Sequence, residues 1–169
     1  MVFPMYNKVT KQKKESRGSE MKILLKKLRE NAIMPTRGSA HAAGYDLYAC
    51  LEKDVVIHPG ETVKVGTGLS AAIPEGWFGA VFARSGLSLK EGLRPANCVG
   101  VCDSDYRGEY IVALHNDSQT ERIVVHGERI AQLVILPFLE AEFDFAEELP
   151  DTERGEGGFG STGKLISAG

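Results

Sequence analysis

Short apolar runs cut by glycine and proline constrain this chain more than any other feature of it. Runs lie at 23–28, 45–50, 54–58, 62–65, 69–73 and 77–82, with stops such as Pro59-Gly60 and Pro74-Glu75-Gly76 between them. Others follow at 110–115, 123–126, 130–138 and 141–145. Strands bounded by turn residues at this spacing predict an all-β barrel or sandwich. No segment has the pattern of a long amphipathic helix, and only 85–91 has room for a helical turn. The run 130–138 is almost continuously apolar, which predicts a strand buried on both faces and a candidate subunit interface.

With 169 residues the chain is long enough for one domain with its own core. A net charge of −3 argues against a nucleic-acid backbone as main partner. No apolar run approaches membrane-spanning length, so no membrane partner is expected. Cys50, Cys98 and Cys102 are odd in number and lack CxxC spacing. They read as small buried apolar side chains in a reducing, cytoplasmic setting. Residues 1–20 stand apart: Lys8, Lys11, Lys13, Lys14 and Arg17 lie among polar residues with no hydrophobic period, so disorder is expected. Glu15 and Glu20 weaken a transit-peptide reading, and Met21-Lys22-Ile23 resembles a natural start, which favours an extended or mis-assigned leader. The expected organisation is a leader at 1–20, a β-domain at 21–150 and a glycine-rich arm at 151–169.

Chemistry concentrates at 97–109, Asn-Cys-Val-Gly-Val-Cys-Asp-Ser-Asp-Tyr-Arg-Gly-Glu. An apolar run delivers Asp103 and Asp105 into a turn closed by Tyr106 and Arg107-Gly108, and a second run begins at Tyr110. The pattern reads as a hairpin with two carboxylates on its rim. Rigidly held loops concentrate catalytic groups. Asp-Ser-Asp is equally what turn chemistry alone would select.

Four more segments are polar where packing does not require it. Asp46 stands at a strand start in 43–47, where ordinary turn chemistry also explains it. Residues 83–87, Ala-Arg-Ser-Gly-Leu, end a strand with a cation, a hydroxyl and a free amide, which suits a phosphate cradle or a helix N-cap. Gln132, in 127–132, interrupts a run that should be buried, and a buried amide needs a partner, which a ligand could supply. The tail, 154–163, holds Arg154, Phe159, Ser161 and Thr162 among glycines. Gly155, Gly157 and Gly160 match GxGxxG, but a dinucleotide fingerprint needs a preceding strand and a following helix, and six residues after Gly163 do not make one. What remains is a flexible arm with parts for a phosphate chain and a planar base; a plain disordered tail would gain nothing from the isolated ring of Phe159.

In this order the five segments 43–47, 83–87, 97–109, 127–132 and 154–163 resemble the five motifs of the trimeric deoxyuridine triphosphatases (dUTP diphosphatases, dUTPases). The resemblance covers nearly everything but the leader. It implies a small jelly-roll-like β-barrel, a homotrimer with sites shared between subunits, and Mg²⁺-assisted hydrolysis of dUTP to dUMP and pyrophosphate. That activity limits uracil in DNA and supplies dUMP for thymidylate synthesis.

Carried over by position, the resemblance makes Asp103 the general base that activates water for in-line attack on the α-phosphorus. Asn97 would read the uracil edge with strand backbone around Val101 and Cys102. Tyr106 would pack under the deoxyribose and exclude a 2′-hydroxyl, and Ile111 would offer a backbone contact. Arg84, Ser85, Gly86 and Gln132 would hold the phosphate chain, and Asp46 would hold Mg²⁺ through water. In the arm, Arg154 would act as an arginine finger, Phe159 would stack on uracil, and Gly160, Ser161 and Thr162 would complete the substrate contacts. Cys102, where the family usually has an aliphatic residue, is a mild departure.

Two rivals are weaker. A dCTP deaminase would need a further arginine after its Arg-Ser pair, and here Arg84-Ser85 runs into Gly-Leu-Ser-Leu-Lys. A non-catalytic nucleotide-binding barrel should have lost Asp103 or Arg154, and both are present. His41, His58, His115 and His126 sit in separate segments, which favours surface or core roles over a metal site.

Overall fold

In the computed structural model, which describes residues 21–158, β-branched and aromatic runs form eleven strands and one short helix. They are β1 (Leu24–Lys27), β2 (Tyr45–Tyr48), β3 (Val55–Ile57), β4 (Thr62–Gly66), β5 (Leu69–Ala72), β6 (Trp77–Phe82), α1 (Ser85–Glu91), β7 (Leu93–Pro95), β8 (Val99–Cys102), β9 (Ile111–Asn116), β10 (Arg122–Val124) and β11 (Arg129–Pro137). The fold is all-β and jelly-roll-like, as expected. The stretch 85–91 is the helix, and β7 is a strand that the sequence pattern did not suggest, too short and too split by Arg94 to show a period.

The strands lie in four ladders: β1-β5, β10-β3, β2-β11-β6-β8 and β4-β9-β7. Seven strands each send one essentially inaccessible side chain inward: Leu47, Ile57, Val65, Leu93, Leu114, Val124 and Ile130. Burying each contributes about 2 kcal/mol, which is what holds strands this short in place.

Three expectations are corrected here. The segment 97–109 is not the turn of a ladder hairpin. β8 pairs with β6 and β9 with β4 and β7, so residues 103–110 cross from one sheet to another. β11 is buried on both faces only near its start, at Ile130 and Ala131; toward Pro137 it is partly exposed. Residues 141–145 alternate apolar and acidic side chains as a strand does, yet form none: Phe143 and Phe145 stand fully in solvent. The period is present, but no strand among the described residues offers it a ladder.

By its internal contacts the chain divides into two units, Met1–Leu139 and Glu140–Gly169. Of the second, residues 140–158 carry no strand or helix. A turn at 152–157 is held by Gly155 N–H on Thr152 O (3.1 Å), Gly157 N–H on Arg154 O (3.1 Å) and Arg154 Nε on Gly157 O (2.7 Å).

Candidate functional site

β8 is the outer strand of its sheet, so one row of its backbone groups has no ladder partner. Between that edge and β9 lies a cavity of about 210 Å³. Its lining includes Asn97, Val101, Cys102, Tyr106, Tyr110 and Ile111. Asn97 is held at it by a tight turn in which Val99 N–H donates to Asn97 O (2.6 Å). The turn forces Cys98 to φ 62°, a left-handed conformation that costs a non-glycine residue about 1 kcal/mol or more. Cys98 is therefore exposed rather than buried, and Cys102 is half-buried; only Cys50 fits the apolar-core reading.

The crossing 103–110 builds the rim. Tyr106 N–H donates to Asp103 O (3.2 Å), and the Tyr106 hydroxyl donates to Glu109 O (3.1 Å). The ring lies down across Gly108, where any Cβ would fall on the ring itself. Beneath it the Tyr110 ring is nearly parallel, at 22° and 6.2 Å between centroids. The Tyr110 hydroxyl is buried and makes no hydrogen bond of ordinary geometry; the Cys102 thiol is the polar group that bears on it. Burial, and then Cys102, push the Tyr110 phenol well above its usual value, and burial likewise raises the Cys102 thiol. Asp103, at the head of the crossing, is exposed, and its carboxylate accepts no hydrogen bond among the described residues.

A second hollow, of about 420 Å³, lies against Arg84, Gly86, Lys90, Gly127 and Arg129 and shares no lining residue with the first. Asp46 and Gln132 are cross-strand neighbours in β2 and β11, so they share a face, and Gln132 in turn pairs with Phe82 at the end of β6. This row holds two of the five motifs and, through Ala83 following Phe82, leads directly into a third. Asp46 accepts from Arg84 Nε (2.8 Å) on one oxygen and from Arg129 Nη1 (3.3 Å) on the other, while Arg84 also donates to Arg129 O (3.2 Å). Arg84 is the N-cap of α1, with no side-chain cap, so the amides at Ser85 and Gly86 are not consumed by a capping side chain. Gln132 finds its amide acceptor within the chain, at Ala83 O (2.8 Å), and needs no ligand for that proton.

The sequence-predicted residues thus fall into two sets. Asn97, Val101, Cys102, Tyr106 and Ile111 line the first hollow, with Asp103 next to Cys102. Arg84 and Gly86 line the second, with Ser85 between them and Asp46 bonded to Arg84 and paired across the ladder with Gln132. Arg154 sits in the turn at 152–157, and Phe159, Gly160, Ser161 and Thr162 lie outside the described residues. Sequence reasoning missed Arg129 and Lys90; Arg129 was within a quoted motif, but its link to Asp46 runs across a ladder and leaves no mark in either segment. No group of three or more His, Cys, Asp or Glu side chains among the described residues could cage a metal ion. Asp46 is a single carboxylate with lone pairs to spare, which suits an ion bridged by water and otherwise held by a ligand's own oxygens.

The sequence model of the dUTPase family matches residues 30–163. A deoxyuridine 5′-triphosphate nucleotidohydrolase of Hydrogenobaculum sp. is 50% identical over 143 residues, which are 85% of this chain and 99% of the relative. Among solved structures, the dUTPase of Staphylococcus bacteriophage 80alpha with dUpNHpp superposes with a TM-score of 0.77 at 32% identity, over 85% of this chain and 99% of that one. A mutant dUTPase from phage phi11 of S. aureus, described as revealing the coordination of a structural Mg(II) ion, superposes with a TM-score of 0.70 at 27% identity, over 78% of this chain and 100% of that one.

Proposed function

The chain belongs to the dUTPase family and is a dUTP nucleotidohydrolase, and from that premise we propose how its residues divide the work. dUTP is cut to dUMP and pyrophosphate by water attacking the α-phosphorus in line, with Asp103 taking the proton. A carboxylate with no guanidinium partner keeps its lone pairs available for that proton. Asn97 and the open backbone edge of β8 at Val101 and Cys102 read uracil, because a strand's own N–H and C=O groups complement a pyrimidine edge. Tyr106 packs under the deoxyribose and fills the space a 2′-hydroxyl would need, and Ile111 offers its backbone.

Arg84, Ser85, Gly86 and Gln132 take the phosphate chain, Arg84 through the fork geometry that matches phosphate oxygens. Asp46 would help hold Mg²⁺ beside the phosphate chain, and the ion would supply neutralisation of the phosphate charge. Arg154 adds positive charge where negative charge develops, Phe159 covers the base, and Ser161, Thr162 and Gly160 meet the terminal phosphate. The two hollows of one protomer share no lining residue, and each has parts for only half of a nucleotide. That supports a homotrimer in which each site is completed by neighbouring copies.

One observation carries this reading: a cavity at an unpaired strand edge, lined by Asn97 and the Tyr106 and Tyr110 rings, with Asp103 exposed next to its lining residue Cys102. Pyrophosphate release with Mg²⁺ should be fast with dUTP and slower by large factors with TTP, UTP and dCTP. Comparable rates with UTP would refute the assignment of Tyr106, and ammonia release from dCTP would point to a deaminase instead.

A further inference from the structure

Glu109 stands near the end of the crossing 103–110, and it is tied into the body of the protein more firmly than a turn requires. Its carboxylate accepts from the Arg29 guanidinium and, on the same oxygen, from Gly68 N–H (2.7 Å). Arg29 in turn donates to Cys50 O (2.9 Å), so one guanidinium links the chain after β1 and the chain after β2 to the far end of the crossing. A Cβ at Gly66 would collide with both the Arg29 and Glu109 side chains, so the end of β4 is cleared for this pair. The backbone of the same residue anchors the ring above: the Tyr106 hydroxyl donates to Glu109 O (3.1 Å). Tyr106 is otherwise 44% exposed, and the rest of its support is the clearance at Gly108 and the Tyr110 ring beneath. Arg29 is not among the cavity's lining residues, whereas Glu109 is.

We propose that the Arg29–Glu109 pair is a positioning device that holds the Tyr106 ring, and that Arg29, without touching substrate, thereby sets the preference for a deoxyribose over a ribose nucleotide. The proposal rests on the reading of Tyr106 as the group under the sugar. If Glu109 is released, its carbonyl and the hydroxyl bonded to it shift together, and the ring gives way where a 2′-hydroxyl would press on it. Misplacement of a packing group by about 1 Å is enough to change selectivity when the discrimination is steric.

The test is kcat/KM for dUTP and for UTP in the full-length protein, with melting temperature alongside. In Arg29→Gln and in Glu109→Gln the dUTP-to-UTP ratio should fall about tenfold. In Arg29→Gln the kcat for dUTP itself should stay within about threefold. Arg29→Lys, which keeps the charge, should retain most of the ratio. The double variant should be no worse than the poorer single, because both substitutions cut one link. A ratio unchanged in both Gln variants while melting temperature falls would reduce the pair to a stabilising contact and overturn the proposal, as would additive losses in the double variant. If Arg29→Gln fails to fold, Glu109→Gln decides on the same ratio. Tyr106→Ala separates the two levels. If it relaxes the ratio and the pair's variants do not, only this inference fails; if it leaves the ratio intact, the reading of Tyr106 fails and this inference with it.

Discussion

Asp46 and Asp103 are both carboxylates in motif positions, and the protein treats them in opposite ways. The Asp46 side chain is 13% exposed and gripped by two guanidinium groups, one on each oxygen. Asp103 stands in solvent next to Cys102 of the cavity lining, and no guanidinium is paired with it among the described residues. A carboxylate with both oxygens in ion pairs is committed to the architecture; one without a cation keeps its lone pairs free. The two hollows inherit this difference: Arg84 and Arg129, the cations that hold Asp46, line one, while the other is lined by backbone, aromatic rings and Glu109, with Asp103 exposed beside Cys102.

The sharpest way to break the comparison is Asp103→Asn. Turnover of dUTP should fall by about a thousandfold or more, the upper range for loss of a general base, while a non-hydrolysable dUTP analogue still binds within a few-fold by calorimetry. Near-normal pyrophosphate release would remove Asp103 from the mechanism.

Subunit mixing tests whether the parts of one site come from different copies. Asp103→Ala and Arg154→Ala, each nearly inactive alone, should recover activity when refolded together in equal amounts. In a closed trimer each mixed composition restores one site in three, and mixed trimers make up about three quarters of a random population, so about a quarter of wild-type activity should return. Mixed trimers that form, as judged by mass spectrometry, yet stay inactive would exclude a shared site.

Stability separates the two carboxylates in the other direction. Asp46→Asn leaves two arginines without their anion and should cost about 1–2 kcal/mol, a value discounted for the half-exposed Arg129. Asp103→Asn should cost nothing measurable in a denaturant melt. Equal losses in the two variants would show that the ion pairs are not what distinguishes them.

The smallest expected effect concerns the cavity floor. Because burial raises the Tyr110 phenol in the folded state, the folded protein keeps a proton that the unfolded chain releases above its ordinary value near 10. Stability from this group is therefore complete below pH 10 and lost as pH rises beyond it, by roughly 1 kcal/mol per pH unit. Tyr110→Phe should lack that alkaline loss and melt no lower than wild type at neutral pH, since it also removes an unpaired buried hydroxyl. Parallel stability curves above pH 10 would contradict the burial of that hydroxyl.

By itself the sequence determined the class of fold, because period-two runs and Gly/Pro turns act over a few residues and need no partner to be read. It also marked candidate segments for chemistry, since Asp46, Arg84, Asp103 and Gln132 are out of place in runs that packing alone would make apolar. What it did not contain was pairing. β8 and β9 read as a hairpin because they are adjacent in the chain, but each has its hydrogen-bond partners in a different sheet, and that separation is what opens the cavity. The grip of Arg129 on Asp46 spans 83 residues, and that of Arg29 on Glu109 spans 80. Residues 141–145 have the alternation of a strand and no ladder to join, while Cys98 looked like core and was turned outward by the φ its turn imposes. Local propensity is written residue by residue, whereas hydrogen-bond partners and ion pairs are chosen only when distant strands close on one another, so the tertiary structure alone decided which carboxylate is clamped and which is available.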